Sequence, residues 1–329
     1  MLSRKRFSSL GMALIFLWAG HLGVQAQTAA NYPNKAITMI VPFPPGGPTD
    51  TYARLVAGKM QQNWGQPVLV ENKPGGTGVL GNNLVIKSPP NGYTLLFTSN
   101  SAHLISALLK NPKPYDSIKD FTPISVAIRY PMYLLVNPSL PVKTVPEFIA
   151  YAKANSGKLN YASVGQGSGG HLACEMFNLT ANTNITHVPY KGAAAAQAAT
   201  IAGETQMFCD SVGNSQPMVD AGKMRGLATF SEKRVSTVDH VPTLGEAGLP
   251  GMAAYIWLGL LGPPGMPADI VQKLHAEMVR IMALPDVKER ALKGGNEILA
   301  NTPDQFTADM VQEIEFWSKV IKAKNIRED

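Results

Sequence analysis

The chain has 329 residues, of which 45% are hydrophobic and 16% are charged. That composition provides enough apolar side chains for one large or two medium folded domains, and it excludes an intrinsically disordered chain. The formal charge of +6 comes from lysines and arginines that are scattered along the sequence instead of forming a basic stripe, so we do not predict nucleic acid as a partner.

The first 26 residues have the pattern of a secretory signal peptide. Three basic residues at positions 4 to 6 precede an apolar run from about Leu10 to Val24, and Val24-Gln-Ala26 matches a small-x-Ala cleavage site. We expect cleavage after Ala26 at this site. The apolar run is shorter than the roughly 20 residues that a membrane-spanning helix needs, and an uncleaved anchor is the alternative. The expected mature chain is soluble outside the cytoplasm, and loss of the three basic residues lowers its formal charge from +6 to +3.

The stretch Val41-Pro-Phe-Pro-Pro-Gly-Gly-Pro-Thr-Asp50 joins an apolar strand over residues 37–41 to a helix. Its two glycines leave the backbone bare, so amide N–H groups can approach a ligand closely. Pro48 suits the first helical turn and the next two residues suit its capping positions, so the loop ends on a helix N-terminus with free donors. This pattern predicts an anion site without a basic residue. The alternative is an ordinary turn in which Asp50 caps its own helix.

Three strand-turn-helix units begin with this loop. The first helix is predicted to end near Gly65, and a strand covers residues 67–70. The second Gly-rich turn, Asn72-Lys-Pro-Gly-Gly-Thr-Gly78, leads into a helix that ends at Lys87, and a strand over residues 93–98 opens on Ser99-Asn100-Ser101. Consecutive units of this kind predict a parallel sheet whose loops gather at its carboxyl edge.

An apolar, β-prone segment over residues 121–136, broken at Arg129-Tyr-Pro131, is interpreted as a crossing into a second lobe. A capping box at Thr144 and Glu147 then precedes a predicted helix over residues 148–154. Further strands are predicted over residues 159–164, 185–189, 205–209 and 225–229, a return crossing over 253–261, and helices over 268–284 and 303–324.

The predicted fold is therefore α/β, with two lobes and two chain crossings between them. Residues 27–128 and 253–329 form lobe 1, and residues 129–252 form lobe 2. Because each lobe presents Gly-rich loops after strands, we predict a ligand cleft between the lobes and a hinge that closes over the ligand.

The run Gly165-x-Gly167-x-x-Gly170 follows a predicted strand and formally matches a dinucleotide fingerprint. The acidic residue expected about 20 positions later is missing, and a serine hydrolase would need glycine at Gln166. His171 lies on the same helix as Ser168, poorly placed to act as its base, and the histidines have no paired metal-ligand spacing. We therefore predict no catalytic residue, no cofactor and no metal, and we expect the loop to turn its amides and the Ser168 hydroxyl towards the cleft.

Two charged residues keep two interpretations each. Asp210, at the end of a predicted strand, either accepts a hydrogen bond in the cleft or caps a short helix near residues 214–219. Arg129 either pairs with a ligand carboxylate or is a solvated charge at the crossing, which is the favoured interpretation.

The remaining candidates are aromatic residues and cysteines. Trp257 is expected in a core, and Phe43 in the cleft. Cys174 and Cys209 either pair as a disulfide or, as we favour, remain two buried thiols. The sequence does not decide whether His171 contacts the ligand.

Seven segments together resemble the tripartite tricarboxylate transporter substrate-binding receptors, also called Bug proteins, over the whole mature chain. They are Tyr32-Pro-Asn-Lys-Ala-Ile-Thr-Met-Ile-Val-Pro-Phe-Pro-Pro-Gly-Gly-Pro-Thr-Asp50, Gly65-Gln-Pro-Val, Val70-Glu-Asn-Lys-Pro-Gly, Asn91-Gly-Tyr-Thr-Leu-Leu, Lys158-Leu-Asn-Tyr-Ala-Ser, His187-Val-Pro-Tyr-Lys-Gly and Val241-Pro-Thr-Leu-Gly-Glu-Ala-Gly-Leu-Pro-Gly251.

The resemblance implies a periplasmic binding protein of the Venus flytrap type, expected as a monomer, that captures a small organic carboxylate and delivers it to a membrane permease. In that family the ligand is held by two opposed loops and ordered water instead of an arginine. The resemblance points to Phe43, Gly46, Gly47, Thr49, Asp50, Ser99 and Asn100 on one side, and to Ser163, Gly167, Ser168, Tyr190 and Asp210 on the other.

The sequence departs from the family pattern at two places that tune the pocket. The common Asp-Asn pair is Asp210-Ser211 here, and the common Gly-Asn-Gly-Thr/Ser loop is Gly165-Gln-Gly-Ser168. The resemblance therefore implies a ligand class, a di- or tricarboxylate or an aromatic acid, and not one compound. A secreted enzyme acting on a small carboxylate and a ligand-sensing partner of a sensor kinase are the alternative functions.

Overall fold

Helices and strands alternate along the residues that the computed structural model describes, 31–323 and 326. The predicted signal peptide over residues 1–26 lies outside them. The helices are α1 (Pro48–Trp64), α2 (Val79–Ile86), α3 (Ser106–Leu109), α4 (Val145–Ala154), α5 (Gly169–Ala181), α6 (Ala193–Ala202), α7 (Val212–Asp220), α8 (Ala268–Ala283), α9 (Pro285–Lys293) and α10 (Pro303–Ala323). The strands are β1 (Ile37–Val41), β2 (Val68–Asn72), β3 (Thr94–Ser99), β4 (Thr122–Val136), β5 (Asn160–Ser163), β6 (Thr186–Pro189), β7 (Met207–Ser211), β8 (Arg225–Thr229), β9 (Tyr255–Gly262) and β10 (Glu297–Ile298).

The sheet of lobe 1 has the strand order β2-β1-β3-β9-β4, and β10 also pairs with β4. Strand β1 is parallel to β2 and to β3, which confirms the prediction for the three strand-turn-helix units. A wholly parallel sheet is wrong, because β9 is antiparallel to both β3 and β4. The reason is connectivity: β4 leaves the lobe and β9 returns to it, so the two run in opposite directions.

The sheet of lobe 2 combines a parallel part with the far end of β4. Strand β5 is parallel to β6 and β7, whereas the end of β4 is antiparallel to β7 and β8. The carboxyl ends of β5, β6 and β7 therefore meet at one edge, and the loops that follow them begin there.

Strand β4 is the first of the two crossings. Its residues from Thr122 to Pro131 pair with β9, and from Met132 it pairs with β7 and β8. The return crossing runs beside it, since Met132 N donates to Ala254 O at 3.1 Å and Ala254 N donates to Phe230 O at 3.0 Å. The chain thus has two lobes joined by two adjacent crossings, while the lobe boundaries at residues 128/129 and 252/253 stay predictions.

Prolines set two element boundaries that differ from the predicted ones. The capping box of Thr144 and Glu147 is confirmed, but α4 begins at Val145 and not at 148, with a proline in its first turn. The long helix predicted over residues 268–284 ends at Ala283, because Leu284 precedes Pro285 and adopts an extended conformation with ψ of 139°. Pro285 then starts α9, a helix that the sequence analysis missed.

The cores of both lobes are formed by the inward faces of these strands. Phe97, Tyr161 and Phe208 are fully buried. Trp257 is also buried and packs edge-on against Phe306 with 4.9 Å between ring centroids, which confirms its predicted core position. Within the described ranges, we find no helix with the length and apolar character needed to span a membrane.

Candidate functional site

The loop between β1 and α1 ends on an open helix N-terminus, as predicted. Gly47 is the N-cap of α1 and makes no side-chain cap, and Pro48 occupies the first turn. Gly46 has φ of +92°, a left-handed conformation that favours glycine. Thr49 and Asp50, predicted at capping positions, lie inside the first turn instead, because the helix already begins at Pro48. The loop therefore combines a turn that depends on glycine with a helix N-terminus that has no side-chain cap.

Asp50 shapes this loop with its carboxylate. Gly46 N donates to Oδ2 at 3.0 Å, Asn72 Nδ2 donates to Oδ1 at 2.9 Å, and Arg54 binds both oxygens at 3.0–3.1 Å. Burial acts to raise the Asp50 pKa, but these hydrogen bonds outweigh it and hold the pKa below its ordinary value. Asp50 is thus engaged inside its own loop, close to the alternative interpretation of a capping role.

Asn72 is a loop-forming residue that sequence reasoning missed. Besides Asp50, its Nδ2 donates to Phe43 O at 3.0 Å, so one amide ties the end of β2 to both ends of the loop. The parallel register Val41↔Asn72 puts it there. The Phe43 side chain is half-buried and packs on the core of lobe 1.

Asn100 follows β3, and two hydrogen bonds hold its side-chain amide in place. Its Nδ2 donates to Tyr255 O at 2.9 Å and to Glu313 Oε1 at 3.1 Å, which sets the orientation of the amide. Its Oδ1 is buried and has no hydrogen-bond partner among the described residues. Ser99, directly before it, shares a hydrogen bond of 2.8 Å with Ser101 through the two hydroxyls. Asn100 therefore offers a fixed acceptor.

Glu313 on α10 holds this arrangement and was also missed. Its Oε2 accepts from Trp257 Nε1 at 2.8 Å while its Oε1 accepts from Asn100. Desolvation by burial raises the pKa of Glu313 to about 7, against the lowering effect of these two hydrogen bonds. No sequence signal connected Glu313 with Asn100, since 213 positions separate them.

In lobe 2, Ser163 shapes the loop that follows β5. Its hydroxyl lies 3.0 Å from Gly165 O and accepts from Gly165 N at 3.1 Å. His187 Nε2 lies 2.6 Å from the Ser163 hydroxyl oxygen. His187 pairs with Tyr161 in the β5–β6 register, two positions before Ser163 on the same strand. Ser163 is fully buried, so it supports the loop from below.

Ser168 and His171 start α5. Ser168 is the N-cap, and its Oγ accepts from His171 N at 3.3 Å. His171 Nδ1 accepts from Gly167 N at 3.1 Å, so the neutral ring carries its proton on Nε2. Burial, with His187 stacked 4.0 Å away, lowers the pKa of His171 to about 3. His171 is therefore neutral at ordinary pH, and the Ser168 hydroxyl proton stays available to a ligand.

Asp210 and Tyr190 are both engaged within lobe 2. Asp210 Oδ2 accepts from Asn214 at 2.7 Å and from Ser215 at 2.9 Å, which ties the end of β7 to α7. Burial raises its pKa above the ordinary value, against the lowering effect of these bonds. The Tyr190 hydroxyl donates to Glu204, beyond the end of α6, at 3.4 Å. Asp210 thus binds side chains near the start of α7 and is not its cap, since the N-cap of α7 is Ser211.

The loops of the two lobes approach each other closely at Gly167. A Cβ added there would lie 2.8 Å from Leu109 Cδ1 and 3.8 Å from Thr77 Cγ2, both of lobe 1. A Cβ added at Gly169 would lie 2.2 Å from Ile256 Cδ1 on the return crossing. The structure thus brings the Gly-rich loop of lobe 2 against lobe 1.

Arg129 is held at the crossing. Its guanidinium binds Glu297 Oε2 at 2.9 Å and lies 4.1 Å from the centroid of the Tyr255 ring. The favoured interpretation, a charge at the crossing and not a ligand clamp, agrees with these contacts.

Cys174 and Cys209 are both free and buried. Burial raises the pKa of the Cys174 thiol well above its ordinary value, and Cys209 contributes as its neighbour. The sequence could not place these two residues side by side. In the described ranges, no group of three or more histidine, cysteine, aspartate or glutamate side chains is arranged to hold a metal ion.

Comparisons with known proteins agree with this architecture. Residues 52–326 match the model of the tripartite tricarboxylate transporter family receptor. The solved structure of "R. palustris Rpa4515 with adipate" has a TM-score of 0.82 and 33% identity, covering 90% of this chain and 99% of that one. MatC from Rhodopseudomonas palustris with bound malate has a TM-score of 0.79 and 33% identity, covering 88% and 100%.

A third solved structure, the periplasmic binding protein BugD, has a TM-score of 0.79 and 32% identity, and the match covers 91% of this chain and all of that one. The family match spans both lobes and both crossings, and the structural matches extend over nearly the whole of each relative. The chain therefore belongs to the tripartite tricarboxylate transporter receptor family, the family of the Bug periplasmic binding proteins.

Proposed function

We propose that this protein is an extracytoplasmic receptor that captures a small organic carboxylate between its two lobes and delivers it to a membrane permease. The observation that carries the proposal is the pair of Gly-rich loops, one from each lobe, that end on the N-termini of α1 and α5. Relatives crystallised with adipate and with malate support a carboxylate ligand. Periplasmic location and the permease partner follow from the family and from the predicted signal peptide.

In this proposal the charge of the carboxylate is balanced by amides, hydroxyls and helix dipoles. The first turns of α1 and α5 leave backbone N–H groups without partners in the helix and carry partial positive charge. The loops themselves, residues 42–50 and 164–170, contain no lysine or arginine. Arg54 on α1 and Arg129 on the first crossing are already paired with Asp50 and Glu297.

The proposed contacts divide the predicted residues into two groups. We propose that Gly46, Gly47, Thr49, Gly167 and Ser168 meet the ligand directly through amides and hydroxyls. Asn100 joins them, since its fixed, unpartnered Oδ1 suits an ordered water or a ligand hydroxyl. The other six predicted residues, Phe43, Asp50, Ser99, Ser163, Tyr190 and Asp210, shape the loops around them.

A thermal-shift screen of the mature protein tests the proposal. Because a ligand that binds only the native state raises stability by mass action, a cleft ligand at 100 times its Kd should add about 2.7 kcal/mol to the free energy of unfolding. The panel comprises mono-, di- and tricarboxylates and aromatic acids, and each acid is compared with its corresponding neutral amide. A panel in which the carboxylates stabilise no more than their amides would contradict the proposal. Any tightly bound carboxylate recovered chemically changed would point to an enzyme instead.

A further inference from the structure

A cavity of about 680 Å³ lies in lobe 2, and none of the twelve predicted site residues lines it. It is bounded by the loop before α4, the end of α7, the start of β8 and the segment around Val241. These elements lie beside Val136 and Met207, the ends of β4 and β7 that are remote from the crossings. The cavity is therefore separate from the cleft, and its volume is typical of small-molecule sites.

The walls of the cavity are mostly apolar. Side chains that contribute to them are Val145, Pro146, Val219, Met224, Val241 and Pro242. Such walls suit the apolar body of a ligand, while a few placed polar groups would fix its orientation.

One of those polar groups is the hydroxyl of Tyr133. Tyr133 lines the cavity and is fully buried, and its hydroxyl has no hydrogen-bond partner among the described residues. A buried hydroxyl that makes no hydrogen bond destabilises the folded protein. A bound ligand that accepts a hydrogen bond from it would remove that cost. Burial raises the pKa of Tyr133 to about 12, with a smaller contribution from Asp220, so the phenol keeps its proton and is a donor.

Gly226 on β8 makes room for that hydroxyl. A Cβ added at Gly226 would lie 1.6 Å from the Tyr133 hydroxyl oxygen. Glycine weakens a strand and commonly marks a close approach at such a position. Gly226 also lines the cavity, so the hydroxyl packs against a residue of the cavity wall.

The charges that line the cavity favour an anion. Lys143 has no ion pair among the described residues, and Arg225 donates only to the carbonyls of Leu140 and Val142. The one lining carboxylate, Glu246, is neutralised by Arg234 at 2.9 Å. Uncompensated positive charge at the wall therefore accompanies the free donor of Tyr133.

We propose that this cavity is a second ligand site, which takes a small amphipathic carboxylate whose apolar body fills the pocket and whose anionic group meets Lys143 and the Tyr133 hydroxyl. The site is distinct from the cleft, so it allows a second compound to bind while the cleft is occupied or blocked. The contacts of Arg225 with two carbonyls make it a poor test residue, because its loss would also loosen the loop before α4.

The test is a calorimetric titration of the mature protein with 2-naphthoate and, separately, with its neutral isostere 2-naphthamide. We expect one equivalent of 2-naphthoate to bind with a Kd near or below about 1 mM. The amide should bind several-fold more weakly, because it lacks the charge. Tyr133→Phe should weaken naphthoate binding by about threefold to tenfold. Lys143→Ala should weaken it by about twofold to fivefold and remove most of its dependence on salt.

Two further variants assign the binding to this cavity. Val219→Trp, at a half-buried helical position, should fill the pocket and abolish naphthoate binding. Lys233→Ala removes an exposed lysine that does not line the cavity, and Gly47→Val blocks the cleft; both should bind naphthoate normally. Absence of saturable binding, or binding that Gly47→Val abolishes and Lys143→Ala leaves unchanged, would overturn the proposal. The surface variant Lys143→Ala keeps the test decisive if Val219→Trp fails to fold.

Discussion

At the scale of single residues, the structure gives Ser168 two tasks that the sequence could not separate. Its oxygen caps α5 by accepting from His171 N, while its proton can bind a ligand carboxylate. Ser168→Ala should therefore lower affinity for the cleft ligand by roughly tenfold to a hundredfold, since a charge-assisted hydrogen bond contributes about 1.5–3 kcal/mol. Calorimetric titration measures this loss.

A matched control isolates the ligand contact from the cap. Thr302→Ala removes the corresponding hydroxyl before α10, whose Oγ accepts from Gln305 N at 3.2 Å. Both variants should lose about 1 kcal/mol of unfolding free energy, but only Ser168→Ala should lose affinity. Equal affinities of the two variants would remove Ser168 from the ligand site.

Arg129 leads to the opposite expectation. Because its guanidinium is occupied by Glu297 and the Tyr255 ring, Arg129→Ala should change affinity by less than about threefold while lowering stability by about 1 kcal/mol. Glu297→Gln is the control, since it breaks the same pair from the other side. Loss of binding in Arg129→Ala, with normal binding in Ser168→Ala, would replace the amide cradle by an arginine clamp.

At the scale of elements, the N-terminus of α1 can be blocked without being unfolded. Gly47 has φ of −77° and ψ of 172°, which valine adopts readily, and no atom lies within 4 Å of an added Cβ. Gly47→Val should therefore fold normally and lose at least tenfold in affinity, because its branched side chain stands where the anion approaches the amides. Gly46→Val is the contrasting variant, since φ of +92° makes it lose stability as well. Full affinity in a folded Gly47→Val protein would exclude this helix from the site.

The contact between α10 and the second loop predicts a pH dependence. Burial raises the pKa of Glu313 from 4.5 to about 7, so the native state binds this proton more tightly than the unfolded state. Stability from this group is present below about pH 4.5 and is lost as the pH rises through 7, by an amount on the order of 2–3 kcal/mol.

Urea denaturation of the unmodified protein and of Glu313→Gln between pH 4.5 and 8 measures the contribution of Glu313 to the free energy of unfolding. The variant carries a neutral side chain throughout, so the difference in unfolding free energy between the two proteins should change across this window in favour of the variant. The other shifted groups, such as Asp210, contribute equally to both proteins. A difference that stays constant with pH would contradict the assignment to Glu313.

At the scale of the whole molecule, Gly167 of lobe 2 lies close to Leu109 and Thr77 of lobe 1, so the loops of the two lobes meet. Because two adjacent crossings can act as a hinge, we expect the lobes to separate without ligand. Small-angle scattering should give a larger radius of gyration for the ligand-free protein, and a saturating carboxylate from the thermal-shift screen should reduce it. Ser168→Ala at the same ligand concentration should remain expanded. Identical radii with and without ligand in the native protein would count against closure.

The sequence by itself determined the alternation of strands and helices, the parallel pairing of β1 with β3, the start of α1 at Pro48, the cap at Thr144, and the resemblance that fixed the family. These follow from local patterns, because turn residues, caps and apolar periodicity act over a few positions. Proline explains one local miss, since the sequence at Leu284-Pro285 already held the signal that ends α8 and starts α9.

Only the tertiary structure decided what the polar residues of the loops do. Asp50 and Asp210 stand where a ligand contact is plausible from the sequence, yet both are engaged by neighbours within their own lobes. Glu313 meets Asn100 across 213 positions, and the Tyr133 hydroxyl packs against Gly226 of β8. Hydrogen bonds and burial depend on which distant segments meet, and no local pattern in the sequence encodes that meeting.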